Sequence, residues 1–322
     1  MRILITGGAG FIGSHLAERL LGDGHEVFVL DDLNDSYSPT LKKQNLAAVQ
    51  EAGLAGFYGC DIRDAEQTRR IVQELCPTTV IHLAARGGVQ PSLQQPLLYE
   101  EVNVRGTLAL LEASRAAKVT KFVFASSSSV YGIGSSLPFR EDDCNRCPIS
   151  PYAATKIAGE NMCFVYSHLY GLNVICLRLF TVYGPRQRPD LVIRKFAELI
   201  GSDREIVVHG EGQSSRDYTY IDDIVDGIVS ALRYDGSYSV FNLGSSSPIS
   251  LETVIETLER ALNRKAKIRR VPSRPGDVPA TYADISKSRA LLGFEPRTTF
   301  DAGIQSFVDW FTRRNAQRMN PD

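Results

Sequence analysis

The chain opens Met1-Arg2-Ile3-Leu4-Ile5-Thr6 and runs directly into Gly7-Gly8-Ala9-Gly10-Phe11-Ile12-Gly13. Ile3–Thr6 reads as a buried strand and a helix reads from about 11 to 21, so the glycines occupy a strand-to-helix turn. Glycine suits a tight turn at 7, close approach of a phosphate to the backbone at 10, and close packing of helix on sheet at 13. The helix start adds unpaired N–H groups and the positive end of its dipole, and both favour a pyrophosphate. Glycine-rich turns also occur without a ligand, so the context decides. The second strand, Val27–Leu30, ends in Asp31-Asp32. A carboxylate there accepts from the ribose 2′-hydroxyl of NAD and would repel the 2′-phosphate of NADP. Asp31 comes first off the strand and is the better placed of the two. The expectation is an NAD site formed by Gly7, Gly10, Phe11, Ile12, Gly13 and Asp31.

Outward from that turn the alternation repeats. Strands read at Gly56–Tyr58, Val80–Leu83, Phe122–Ala125 and Val174–Leu179, with helices at about 41–51, 64–75, 97–117 and 151–170. Such repetition means parallel pairing with helices on both faces: an α/β fold, a Rossmann-type doubly wound parallel sheet. Strands buried on both faces need no polar alternation, which accounts for the run Phe122-Val123-Phe124-Ala125. Ligands then gather at the carboxyl ends of the strands. Asp61 and Ile62, after the third strand, can meet an adenine edge. Leu83, Ala84 and Ala85, after the fourth, let a flat cofactor lie close, though all five also suit plain packing. From about 180 turn signals crowd together at Gly184-Pro185, 210–212 and 272–276. Residues 1–179 read as the NAD-binding domain and 180–322 mainly as a smaller C-terminal α/β substrate-binding lobe. Within that lobe 221–243 reads as a helix and strand that return to the main sheet.

The 322 residues are 43% hydrophobic and 23% charged, with 36 Lys+Arg against 37 Asp+Glu and a net charge of -1. That balance argues against a nucleic-acid partner or an anionic membrane surface. No apolar run approaches the roughly 18 residues of a spanning helix. A strand beginning at once leaves no room for a signal or transit peptide. Six scattered cysteines read as reduced thiols of a cytoplasmic protein. Cys144 and Cys147 have C-x-x-C spacing, but there is no second pair and no histidine nearby to complete four ligands. Pro148 follows where a redox pair would want a helix N-terminus, so no metal or redox site is expected.

Chemistry is expected at Tyr152 and Lys156, which start a helix after Ser150-Pro151. The i, i+4 spacing puts phenol and ammonium on one face. Free tyrosine titrates near 10, and a neighbouring Lys⁺ together with a positive nicotinamide ring favours the phenolate, moving it toward working pH. Such pairs also occur by chance on surface helices. The stretch Ser126-Ser127-Ser128-Ser129-Val130-Tyr131-Gly132, directly after the fifth strand, adds hydroxyls at a carboxyl end beside the cofactor.

With these residues in view, the chain resembles an extended short-chain dehydrogenase/reductase of the nucleotide-sugar epimerase/dehydratase group. The resemblance covers nearly the whole length. Besides Gly7–Gly13 and Ser127…Tyr152-x-x-x-Lys156, it takes in Asn103-Val104-Arg105-Gly106-Thr107, Val182-Tyr183-Gly184-Pro185-Arg186, Arg216-Asp217-Tyr218 and Arg274-Pro275-Gly276-Asp277. The resemblance implies that Ser127 hydrogen-bonds the sugar 4-hydroxyl, that Tyr152 is the acid/base, and that Lys156 bonds the nicotinamide ribose and tunes Tyr152. It also adds Asn103 to the cofactor site and Ser128 to the sugar site. Arg216 and Arg274 are implied to bind the nucleoside diphosphate and Asp277 the uridine ribose. A homodimer through the helices at about 97–117 and 151–170 is a further implication.

Dehydratases of the group carry an Asp-Glu pair after the catalytic hydroxyl, and decarboxylases a Glu in the same stretch; here those positions are Ser128 and Ser129. Hydroxyls cannot supply a second acid/base, so epimerisation with recycled NAD is the expected reaction. Thr181, where neutral-sugar epimerases usually have Asn, and Arg188-Pro189-Asp190 look like UDP-glucuronate 4-epimerases. A hydroxyl and a guanidinium suit a hexuronate carboxylate. Gln90 departs from that pattern, since the uronate enzymes usually have Arg there. A 4-epimerase of UDP-glucose/UDP-galactose, or of an N-acetylhexosamine, is the alternative. Readings of another class are a non-catalytic NAD-binding sensor, which typically loses the Tyr or the Lys, and a plain dehydrogenase that releases NADH.

Overall fold

A computed structural model describes residues 1–143, 147–272 and 278–319. Along β1 (Arg2–Thr6) Ile3 and Ile5 face one apolar core and Leu4 the other, all with no exposed surface. This two-sided burial repeats in β2 (Glu26–Asp31), β4 (Thr79–His82), β5 (Lys121–Ser127) and β6 (Asn173–Leu179), while the edge strand β3 (Gly56–Gly59) is only half-buried. The strands pair in parallel in the order β3-β2-β1-β4-β5-β6. Helices α1 (Phe11–Gly22) and α2 (Pro39–Glu51) pack on one face. On the other lie α3 (Ala65–Leu75), α6 (Gly106–Ala116) and α7 (Pro151–Tyr170). The strand order reverses direction between β1 and β4, which is where an open α/β sheet leaves its crevice.

The expected single helix over 97–117 is interrupted. Short helices α4 (Val89–Gln94) and α5 (Pro96–Glu100) lead into one π-turn at Glu101–Arg105 before α6 begins. Such turns cluster at functional sites because they turn one side chain inward. Here it is Asn103, which is 2% exposed.

Beyond β6 come β7 (Thr181–Tyr183), α8 (Val192–Gly201), β8 (Glu205–His209), β9 (Ser215–Tyr220) and α9 (Ile221–Leu232). The next strand, β10 (Tyr238–Leu243), joins the edge of the main sheet beside β6 and completes seven strands. There follow β11 (Pro248–Ser250), α10 (Leu251–Leu262), β12 (Lys267–Val271), β13 (Ala280–Thr281), α11 (Ser286–Leu292) and α12 (Phe300–Met319). Strands β7, β9, β11 and β13 form a small sheet, and β8 pairs with β12. Asp217, with no exposed surface, ties this lobe together by accepting N–H bonds from Ser245, Ser246 and Ala283. Among the described residues no helix is long and apolar enough to cross a membrane.

Candidate active site

A cavity of about 410 Å³ runs from the glycine turn at the sheet's switch point to Tyr152. Gly7 takes φ +73°, and a Cβ there would lie 2.7 Å from the Ala84 nitrogen. A Cβ on Gly13 would lie 2.3 Å from the Gly7 carbonyl oxygen. The first bond of α1 is Ser14 N–H to the Gly10 carbonyl at 3.1 Å, and the helix has no side-chain cap. The N–H groups of residues 11–13, on the cavity wall, are left for a ligand. This cradle fits a dinucleotide diphosphate.

Asp31 is buried beside it. Its Oδ2 accepts from Ala9 N–H at 3.1 Å and its Oδ1 from Leu33 N–H at 2.9 Å. Burial pushes its carboxyl above the usual value, against the pull of the Leu33 N–H and the Lys42 charge. Asp32 is exposed and bonded to Asn34. Asp61 lines the cavity with Ile62, Leu83, Ala84 and Ala85. Burial opposes its charge, but hydrogen bonds from Arg63 hold it below the usual carboxylate value. Asn103 does not itself line this cavity, although its neighbour Val102 does. Its amide oxygen accepts from Arg86 N–H at 2.8 Å, and its nitrogen donates to the Arg86 carbonyl and Thr155 Oγ1 at 3.0 and 3.1 Å. The π-turn points this side chain at protein partners, so it braces the loop after β4 against α7.

Ser150 caps α7 by accepting from Ala153 N–H at 3.1 Å, and Pro151 sets the first turn. That start brings Tyr152 and Lys156 to the end of β5, where Ser127 caps the following 3₁₀ turn. Ser127 Oγ lies 3.0 Å from Ser129 Oγ and lines the cavity with Tyr152. Lys156 Nζ donates to the Ala125 carbonyl at 2.7 Å and is 5.9 Å from the Tyr152 ring centre. Burial lowers Lys156 to about 8. Burial raises the Tyr152 phenol, and the groups that pull it back are Ser127 and the charge of Arg188. Arg188 is thus a further cation beside the phenol, in addition to Lys156 one helical turn away.

A second cavity of about 200 Å³ continues past Ser128, Ser129 and Thr181 to Arg216. Arg216 donates to the Ser215 carbonyl at 2.8 Å. Arg274 and Asp277 lie outside the described residues, as does Cys144. Arg188 lies on the wall of the larger cavity with Thr181 and Tyr152. Its Nε and Nη2 reach Asp190 at 3.0 and 2.5 Å, and Nη2 also donates to the Gly87 carbonyl at 3.2 Å.

Beneath the hydroxyls, Arg178 and Glu160 form a bidentate pair with both contacts at 2.9 Å and side-chain exposures of 2% and 0%. Glu160 also accepts from Ser126 Oγ at 2.6 Å. Arg178 lies 4.8 Å from the Tyr131 ring centre, and Tyr131 donates to Asn242 Oδ1 at 2.7 Å. This network fixes the ends of β5, β6 and β10. Sequence reasoning missed it, and missed Tyr37 and Lys42 at the cavity. Tyr37 has its hydroxyl buried with no hydrogen-bond partner among the described residues, and burial pushes it up to about 12. The network pairs side chains 18 to 111 positions apart, and Tyr37 and Lys42 sit in a loop and on a helix, so no local spacing marks them.

Residues 4–307 match the family model described as GDP-mannose 4,6 dehydratase. A UDP-glucuronate 4-epimerase of Thermodesulfobacterium geofontis is 43% identical over 308 residues, covering 95% of this chain and 95% of its own. The solved UDP-glucuronic acid 4-epimerase of Bacillus cereus, in complex with UDP-glucuronic acid and NAD, has a TM-score of 0.91 at 35% identity. The match covers 98% of this chain and 100% of that one. The UDP-glucose 4-epimerase of Thermotoga maritima, with UDP-glucose, has a TM-score of 0.90 at 32% identity, with the same coverage of 98% and 100%.

Proposed function

This chain belongs to the GDP-mannose 4,6 dehydratase family of extended short-chain dehydrogenases/reductases, and we propose that it is an NAD-dependent UDP-sugar 4-epimerase interconverting UDP-glucuronate and UDP-galacturonate. One observation carries the reading: Ser127, Tyr152 and Lys156 meet Arg188 around one cavity that has hydroxyls, not carboxylates, at 128 and 129. The family model's name speaks of dehydration. Elimination needs a second acid/base at those two positions, and serine does not provide it.

In this mechanism Tyr152 takes the proton of the sugar 4-hydroxyl and later returns it, while Ser127 hydrogen-bonds the same oxygen. Bound NAD supplies reversible hydride acceptance at C4, so none is consumed over a cycle. Gly10, Phe11, Ile12 and Gly13 hold its diphosphate and Asp31 its ribose. Lys156, anchored on the Ala125 carbonyl, keeps further N–H groups for the nicotinamide ribose. Arg216 and Arg274 would hold the diphosphate, about which the oxidised sugar would turn so that either face of C4 can meet the cofactor. Thr181 and Arg188 hold the C6 carboxylate, and that grip matters because a 4-keto uronate is a β-keto acid that readily loses CO₂. Residues 1–179 with 221–243 form the cofactor half in this reading, and the remainder forms the sugar half.

A homodimer fits the surface. Leu97, Phe164, Val165 and Leu169, on α5 and α7, are 77%, 51%, 40% and 62% exposed, an apolar face that a second copy would cover. Replacing Arg188 with Ala tests the sugar assignment. Turnover of UDP-glucuronate should fall by roughly a hundredfold or more, the usual scale for losing a buried charged contact to substrate. Unchanged turnover refutes the carboxylate clamp.

A further inference from the structure

Arg188 does not present a bare charge to the cavity. Its side edge, Nε and Nη2, is taken by the carboxylate of Asp190, only two residues away. The Gly87 carbonyl shares Nη2. Nη1 has no protein acceptor among the described residues, and a Cβ on Gly87 would sit 2.7 Å from it. Glycine at 87 is thus what leaves that nitrogen room. The Arg188 side chain is 23% exposed and that of Asp190 39%, so the pair lies at the rim of the cavity with the guanidinium the more sheltered of the two.

This arrangement has a consequence for selectivity, and it rests on the epimerase reading above. A lone guanidinium in such a wall demands an anion, because a neutral group facing it would leave a desolvated cation uncompensated. With Asp190 bound, the wall is close to neutral before any sugar arrives. A C6 carboxylate can still bond the open Nη1, but gains less Coulomb energy. A C6 hydroxymethyl can accept from the same nitrogen at little penalty.

We propose that Asp190 is a specificity-determining residue: an internal counter-carboxylate that lets this cavity turn over UDP-hexoses with a neutral C6 alcohol as well as UDP-hexuronates. Asp190 touches neither the reacting atoms nor the cofactor in this account. It acts through Arg188 and sets the ratio between two substrates.

The experiment compares kcat and KM for UDP-glucuronate and UDP-glucose in the wild type, Asp190→Asn and Asp190→Glu. The wild type should turn over both sugars. Asn keeps an acceptor for Arg188 while removing the negative charge. The ratio of kcat/KM for acid over alcohol should therefore rise by roughly tenfold or more, mainly through a lower KM for the acid. Asp190→Glu restores the charge and should return the ratio toward wild type. A purely supporting role lowers both sugars together and leaves the ratio unmoved, and that outcome overturns the proposal. So does a wild type that ignores UDP-glucose. If Asp190→Asn folds poorly, Asp190→Ser, which also removes the charge, reads the same ratio. A wild type that epimerises neither sugar removes the underlying epimerase reading as well, so the two failures are distinguishable.

Discussion

The two halves of the cleft are built by different means. On the cofactor side the backbone does most of the work: glycines at 7 and 13 remove atoms that would collide with Ala84 and Gly7, and Asp31 is held by two backbone N–H groups. On the sugar side the geometry depends on side chains from distant segments. Glu160 on α7 meets Arg178 on β6, Tyr131 meets Asn242 on β10, and Arg188 reaches back to Gly87. Motifs formed by neighbours along the chain fix the shared chemistry, whereas long-range side-chain pairs shape what each substrate meets.

The sharpest way to break this division is at the seam. Tyr152→Phe keeps the ring and removes the proton carrier, so kcat should fall by roughly 10²–10⁴-fold. The amount of NAD retained on purification should stay unchanged. Loss of NAD along with activity would mean the halves are not separable at Tyr152.

Next in size is the network under the sugar side. Glu160→Gln strands the buried Arg178 and should cost about 3–5 kcal/mol in chemical denaturation. Replacing both residues with apolar ones of similar volume should cost much less. Equal losses would argue that the pair does not act as a unit.

On the cofactor side, Gly13→Ala places a Cβ 2.3 Å from a backbone oxygen. The turn must shift, and affinity for NAD should fall by roughly a hundredfold by calorimetry, as for a misplacement near 1 Å. Full retention of NAD would show that the turn has slack.

The smallest effect concerns His82, which pins β1 and α6 through Thr6 Oγ1 at 2.7 Å and Thr107 Oγ1 at 2.9 Å. Burial lowers its pKa from 6.5 to about 3. Between those values the unfolded chain binds a proton that the folded chain refuses, so this residue's contribution to stability falls as pH drops through 6.5. The slope is up to about 1.4 kcal/mol per pH unit. His82→Asn should flatten the decline in denaturation midpoints between pH 6.5 and 4.5 relative to wild type. An unchanged slope would contradict a buried neutral imidazole.

The same division explains what the sequence could reveal. The glycine turn, Asp31, the parallel strand runs and the Tyr152–Lys156 face follow from spacing within a few residues, and the fold they imply matches the seven-stranded sheet. The break in the helix over 97–117 was not legible, because a π-turn at Asn103 is stabilised by Arg86 and Thr155, far away in sequence. For the same reason helical spacing pointed to Lys156 beside the phenol but gave no sign of Arg188, which the fold brings to the same group. Asp190 stood within the quoted motif, yet only the folded loop reveals that it occupies Arg188.

The central claim is that these residues exchange configuration at C4 without net redox. The most direct test is NMR of the products formed from UDP-glucuronate by the purified protein, with NADH absorbance followed in the same sample. The account predicts a mixture of UDP-glucuronate and UDP-galacturonate with almost no NADH. Unchanged UDP-glucuronate, a decarboxylated pentose product, or NADH accumulating in step with substrate loss would contradict it.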